Sequence, residues 1–214
     1  MQLKKNPTSW IYILLPIFYA AGVLWHALDV TLPYMMILTP YTILITAIIG
    51  FYFELKHWSS SLALWIVVTF IITFSLEAIG VKTGLIFGAY WYGPTLGFSL
   101  FNVPLLIGIN WTLIIMGFII IIKKFTQNIY AVSLLTGGAT LLFDYIMEPV
   151  AIRYDYWTWE GVAIPLQNYI AWFIIAALFA YLHERMRVKH HSVMPSFVVL
   201  VQGLFFLALR LFVI

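Results

Sequence analysis

Cysteine is absent from this chain of 214 residues, and charge is scarce, with aspartate, glutamate, lysine and arginine together making up 9%. Without thiols there are no disulfides, no iron–sulfur ligation and no cysteine nucleophile, although the compartment stays open. Soluble domains carry about a quarter charged residues. A chain with 64% hydrophobic residues and a mean hydropathy of +1.00 is therefore no ordinary soluble globule. A Gly-rich phosphate loop is also missing, which argues against a nucleotide. The net charge of +3 sits mostly at the ends of hydrophobic segments, which suits membrane topology and excludes a nucleic-acid partner.

What the chain does have is long apolar runs. A spanning helix needs about 20 mostly apolar residues, and seven windows qualify: Trp10–Leu28, Pro33–Phe53, Ser60–Ile79, Leu100–Ile122, Ile129–Val150, Ile164–His183 and Ser196–Ile214. The expected fold is all-α, a single polytopic membrane bundle of about seven transmembrane helices over residues 1–214, because backbone groups in lipid must pair internally. The first segment has no small-residue cleavage site after it and reads as a retained helix. Short connections predict sequential helices packed as antiparallel neighbours. The long connections, Gly80–Ser99 and Ala151–Ala163, are rich in glycine and aromatics.

Basic residues predict the orientation. With the amino terminus cytoplasmic, Lys4, Lys5, Lys56, Lys123, Lys124, Arg185, Arg187 and Lys189 lie inside, against Lys82, Arg153 and Arg210 outside. The acids then segregate. Asp29, Glu77, Asp144, Glu148, Asp155 and Glu160 fall at outer helix ends or in outer loops, and only Glu54 and Glu184 fall inside, among basic residues. His183, His190 and His191 read as a solvated part of that inner loop.

Two stretches match. VPLLIGINW (Val103–Trp111) and IPLQNYIAW (Ile164–Trp172) share the pattern [VI]-P-L-x-x-x-I-x-W. Each follows a glutamate, Glu77 or Glu148, and an aromatic run, Tyr90-Trp91-Tyr92 or Tyr156-Trp157 with Trp159. Helices three–four and five–six (about 60–122 and 129–183) thus read as a parallel helix–loop–helix repeat, with Pro104 and Pro165 near the first turn of each returning helix.

Acids are costly in lipid, about 2.5–3.5 kcal/mol each at mid-bilayer. Asp144 lies about 9 Å inside the end of its segment at 1.5 Å per residue, and Glu148, four residues on, shares its helix face. Like charges there repel, and the expectation is that one of the two keeps its proton near neutral pH, as a general acid requires. The bland alternative is a salt bridge, from Arg153 to Glu148 or Asp155 and from Lys82 to Glu77. Asp155 and Glu160 read as loop surface, and His26 with Asp29 could serve either as support for the site or as structure. Asn102, Asn110, Gln167 and Asn168 are interhelical hydrogen-bonders or substrate contacts. No ligand spacing supports a metal.

An acid beside aromatic faces suits protonation of an alkene, because aromatic faces stabilise the resulting tertiary carbocation. Water then gives an alcohol, and a second alkene gives a ring. Neither needs a cofactor.

EAIGVKTGLIFGAYWYG (Glu77–Gly93), NVPLLIGINW (Asn102–Trp111) and FDYIMEPVAIRYDYWTWEGVAIPLQNYIAW (Phe143–Trp172) resemble the CruF-type carotenoid-biosynthesis membrane proteins, which are carotenoid 1′,2′-hydratases and include bisanhydrobacterioruberin hydratases of halophilic archaea. The shared motifs are E-x-x-G-x-x-T-G-x-x-F-G-x-Y, D-x-x-x-E-P, W-x-W and P-L-x-N. The resemblance implies a lipophilic carotenoid with an acyclic ψ-end, such as lycopene or γ-carotene, and addition of water to its terminal double bond. It also implies residence in a prokaryotic cytoplasmic membrane among lipid and other carotenoid-pathway enzymes. Glu77, Asp144 and Glu148 are the expected catalytic acids. Tyr90, Trp91, Trp111, Trp157, Trp159, Asn168 and Trp172 are the expected substrate contacts, with His26, Asp29, Lys82 and Arg153 supporting and the site towards the outer leaflet.

The enzymatic rival is a lycopene cyclase-type carotenoid cyclase. A small seven-helix transporter is the non-enzymatic rival, but its site belongs near the midplane. A retinal protein needs a lysine in the last helix, and SFVVLVQGLFFLALRLFVI has none.

Overall fold

The computed structural model describes residues 9–161 and 163–214. Lys4 and Lys5, part of the inner basic set, lie outside the described residues.

Among the described residues seven helices run in chain order: α1 (Ile11–His26), α2 (Leu32–Leu55), α3 (Ser60–Thr83), α4 (Leu105–Ile122), α5 (Ile129–Arg153), α6 (Leu166–Arg185) and α7 (Met194–Phe212). Six of them, α2 to α7, are long and apolar enough to cross a membrane, which makes the chain an integral membrane protein by length and composition. The 16 residues of α1 span about 24 Å at 1.5 Å per residue, short of a hydrocarbon core of about 30 Å. Large apolar side chains such as Ile37, Leu64 and Leu178 stand exposed on the outer faces of their helices, as lipid-facing positions should.

Local chemistry sets the ends. Ser59 and Asn128 cap α3 and α5 by accepting from the backbone N–H of Leu62 and Ala131. Gly84, at φ +68°, ends α3 in the left-handed conformation that glycine adopts without strain. Pro104 and Pro165 stand immediately before α4 and α6 with almost the same backbone angles, φ/ψ −61°/132° and −62°/138°. Proline there lacks only a hydrogen that a helix start leaves unpaired.

Helix α4 is the centre. Its Leu113, Ile114, Ile115, Met116 and Ile119 are fully enclosed, so an all-round apolar helix here is a buried one. Ser196 on α7 donates to the Gly117 carbonyl on α4 at 2.9 Å, and Gly117 lets Val199 approach. Helix α7 packs against α4, α2, α5 and α1, and α5 against α6. Chain neighbours are thus not always spatial neighbours. Helix α7 lies against α4 rather than pairing with α6, and α2 does not form a hairpin with α3, because the enclosed α4 offers the larger apolar face.

The expected fourth span beginning at Leu100 is shorter than read. Residues Ser99–Leu100 (β2) and Val103–Pro104 (β3) form a hairpin turned by Phe101 and Asn102, both at positive φ, and the helix begins at Leu105. A second strand pair joins the two long connections: β1 (Tyr90–Tyr92) runs antiparallel to β4 (Trp157–Trp159), pairing Tyr90 with Trp159, Trp91 with Thr158 and Tyr92 with Trp157.

The helix end that carries His183 and Glu184 is less solvated than the sequence suggested. His183 is fully buried, its Nδ1 2.9 Å from Glu184 and its Nε2 2.8 Å from His190 Nε2, with the two rings stacked. Glu184 takes an ion pair from Lys123 at 2.7 Å, and buried Glu54 accepts the backbone N–H of Ser192 at 2.9 Å. These contacts tie α2, α4 and α6 to the loop before α7.

Candidate functional site

The β1–β4 pair lies over the ends of α3 and α5 and turns alternate side chains inward. Glu77, on α3, accepts from the indole of Trp111 through Oε1 at 2.7 Å and from the phenols of Tyr92, at 2.8 Å, and Tyr90 through Oε2. Glu148, on α5, accepts at Oε2 from the indoles of Trp157 and Trp159, each at 3.0 Å. Its other oxygen accepts from the Asn168 amide at 3.1 Å. Each glutamate is thus gripped by residues i and i+2 of the strand that follows it, and by one side chain from the returning helix.

Asp144 lies one turn below Glu148. The Asn168 amide, with two hydrogens to give, donates to Asp144 Oδ2 at 2.8 Å as well as to Glu148, so one side chain bridges both acids. Among the oxygens of the three carboxyls, Asp144 Oδ1 alone has no partner among the described residues. All three acids are enclosed, with exposures of 3% for Glu77, 0% for Asp144 and 1% for Glu148.

Glu77 and Glu148 face one cavity of about 50 Å³, roofed by Tyr90, Tyr92, Trp157 and Trp159 and floored by Trp111 and Trp172. The last two indoles stack at 3.8 Å and 20°. Tyr90 lies against Trp159 at 5.0 Å. Burial, then the adjacent Glu77 carboxylate, holds the Tyr90 and Tyr92 phenols well above their usual range, so both remain hydrogen-bond donors at any working pH. The result is an aromatic-walled chamber with acids on two sides.

Of the residues expected from sequence, Glu77, Glu148, Tyr90, Trp111, Trp157, Trp159, Asn168 and Trp172 meet at this cavity. Asp144 joins them through Asn168. Trp91 does not: it is 53% exposed, because in a strand its neighbours Tyr90 and Tyr92 take the inward face. Tyr92 occupies the place given to Trp91. Lys82, Arg153 and Asp29 are exposed, and no salt bridge from Lys82 or Arg153 reaches an acid among the described residues. Hydrogen-bond donors, not cations, hold the acids. His26 is buried but lies in a neighbouring cavity, edge-on to Tyr154 and Phe205. Asp155 and Glu160 are loop surface, as expected. Among the described residues no three His, Asp or Glu side chains are grouped to hold a metal ion.

Tyr92 and Tyr156, members of the aromatic runs but not of the expected substrate contacts, also line the cavity, together with Phe87 and Met147. Period-two alternation through Tyr90-Trp91-Tyr92 was the available signal for the first. Gly93 closes the strand pair, donating to the Tyr156 carbonyl at 2.9 Å, and a Cβ there would sit 2.2 Å from the Asp155 carbonyl oxygen.

The fold and site together define a polytopic membrane protein with paired buried carboxylates in an aromatic chamber. Residues 31–213 match the family model described as "Carotenoid biosynthesis protein". The chain belongs to that family. It is also 28% identical over 110 residues to a bisanhydrobacterioruberin hydratase of Haloarcula japonica, a match covering 48% of this chain and 38% of that relative. The chain thus spans well under two thirds of the curated relative it matches. No solved structure matches the chain.

Proposed function

We propose that this protein is a carotenoid hydratase, adding water to the terminal double bond of an acyclic or monocyclic ψ-end without a cofactor. The observation that carries the reading is the facing of Glu77 and Glu148 across one aromatic-walled cavity, each held by indole or phenol donors. The family assignment supports the substrate class, and the similarity to a distant hydratase supports the reaction. The alkene π pair takes a proton from one carboxyl, the positive charge develops at the adjacent tertiary carbon between aromatic faces, water forms the C–O bond, and a carboxylate receives the surplus proton. Asp144, tied to Glu148 through Asn168, serves as the proton store beside the acid that faces substrate.

The same reading takes the chain as two copies of one unit, about 60–122 and 129–183, within a single domain. What supports it is the match of Pro104 with Pro165, of the Trp111–Trp172 stack across the centre, and of the strand register about the Trp91–Thr158 pair. In that alignment Thr73 stands where the second copy has Asp144, and Ile107 where it has Asn168. The copies have therefore diverged, and the second holds the acid–amide–acid bridge. The positive-inside count supports an amino terminus in the cytoplasm and a cavity towards the outer leaflet, and we take the membrane to be a prokaryotic cytoplasmic one.

Expression in a host that accumulates acyclic carotenoids, followed by mass analysis of the pigments, tests the proposal. The expected product has gained one water. Pigments of unchanged mass, with or without a new ring, refute it.

A further inference from the structure

A second cavity, of about 150 Å³, lies between α1, α2 and α7 and shares Ile43, Asn110, Tyr156 and Phe206 with the carboxylate cavity. Its rim includes Phe18, Trp25 and Leu38, each about half exposed on the apolar outer surface. The walls are mostly apolar, yet three buried polar atoms on the residues lining it have no partner among the described residues: His26 Nε2, Asn110 Oδ1 and Gln202 Oε1.

These three atoms share one chemistry. His26 Nδ1 bonds the Gly22 carbonyl at 2.7 Å, and a carbonyl only accepts, so Nδ1 carries the ring hydrogen and a neutral ring offers a lone pair at Nε2. The Thr46 hydroxyl donates to the Thr42 carbonyl, so Gln202 presents its amide N–H to Thr46 and its oxygen elsewhere. Asn110 adds a second amide oxygen. All three are acceptors, and buried acceptors demand donors. Two of the residues that carry them, His26 and Gln202, are themselves 7% and 3% exposed. A ketone, an ether or a hydrocarbon brings no donor. Water brings two, and the space exceeds the roughly 30 Å³ that one water occupies.

We propose that this chamber is the water site of the reaction: it holds the nucleophile on acceptor atoms, and Asn110, on the wall common to both cavities, presents it to the cation. The inference rests on the hydratase reading. The step is balanced. Carbon gains a proton from a carboxyl, the water oxygen gives its lone pair to the cationic carbon, and the surplus proton on that oxygen passes to a carboxylate, with no oxidant or reductant involved.

The test uses the full chain in membranes, an acyclic ψ-end carotenoid and deuterium oxide. Hydrated product reports water capture, and deuterium in the recovered unhydrated polyene reports protonation followed by proton loss. Asn110→Leu and Gln202→Met are expected to lower hydrated product by about tenfold or more while deuterium still enters the polyene. A purely structural role loses both signals together, and that outcome overturns the proposal, as does hydration at the wild-type level in both variants. Gln202→Met keeps side-chain length and so carries the test where Asn110→Leu fails to accumulate. Wild-type protein that never hydrates refutes the underlying function instead, which keeps the two failures distinct.

Discussion

Replacing Glu148 with glutamine removes one proton-exchanging oxygen while keeping the side chain's volume. The oxygen of glutamine can still accept from the Trp157 and Trp159 indoles. Its NH₂ then faces the Asn168 amide nitrogen, which now lies 3.1 Å from Glu148 Oε1. Two donors in contact lose one hydrogen bond, and Asn168 must turn or leave Asp144 Oδ2. The structural cost is about 1–3 kcal/mol for a buried group left unpaired. Losing a general acid or base costs about 100-fold to 10,000-fold in rate, or roughly 3–5 kcal/mol of barrier. Glu148→Gln protein is therefore expected to accumulate in membranes but to yield hydrated carotenoid reduced by about 100-fold or more. The assay is chromatography and mass analysis of pigments, normalised to protein in the membrane fraction. Hydrated product near the wild-type level refutes the carboxylate reasoning outright.

Other outcomes separate the site from its surroundings. Trp91→Ala should leave product within about twofold of wild type, since that indole is exposed, whereas Tyr92→Phe should lower it by removing a donor from Glu77; pigment yields check both. Gly93→Ala should destabilise the strand pair by about 1–3 kcal/mol, because the new Cβ meets the Asp155 carbonyl at 2.2 Å, a change read by heat inactivation. For pH, burial and then the Glu77 carboxylate raise the Tyr90 phenol, a group neutral when folded. A raised folded value means stability fully present below the unfolded tyrosine value of about 10 and lost as pH rises through the folded one. Detergent-solubilised protein should lose thermal stability above about pH 10, and Tyr90→Phe should lessen that loss.

Much of this site is legible in the chain because its residues are chemically conspicuous. Acids inside apolar segments stand out, so Glu77, Asp144 and Glu148 are found at once, and prolines mark the starts of α4 and α6. Trp111 and Trp172 follow from their equal distance to those prolines. What fails is orientation within short irregular stretches. Tyr90-Trp91-Tyr92 looks like one aromatic block until a strand imposes alternation, and a hairpin at Ser99–Pro104 hides inside an apolar run that reads as helix. The salt-bridge alternative fails because indole and phenol donors can satisfy a buried carboxylate, and they count as grease in any composition. The second cavity is harder still. His26, Asn110 and Gln202 come from three distant helices, and only the packing of α7 against α1, α2 and α4 brings them to one space.

The central claim is that carboxyl-driven protonation ends in capture by water. Incubating membranes containing the protein with an acyclic ψ-end carotenoid in ¹⁸O-labelled water tests it most directly. The expected product is one labelled water heavier, with the heavy oxygen in its hydroxyl group. A product of unchanged mass bearing a new ring, or no conversion at all, contradicts it.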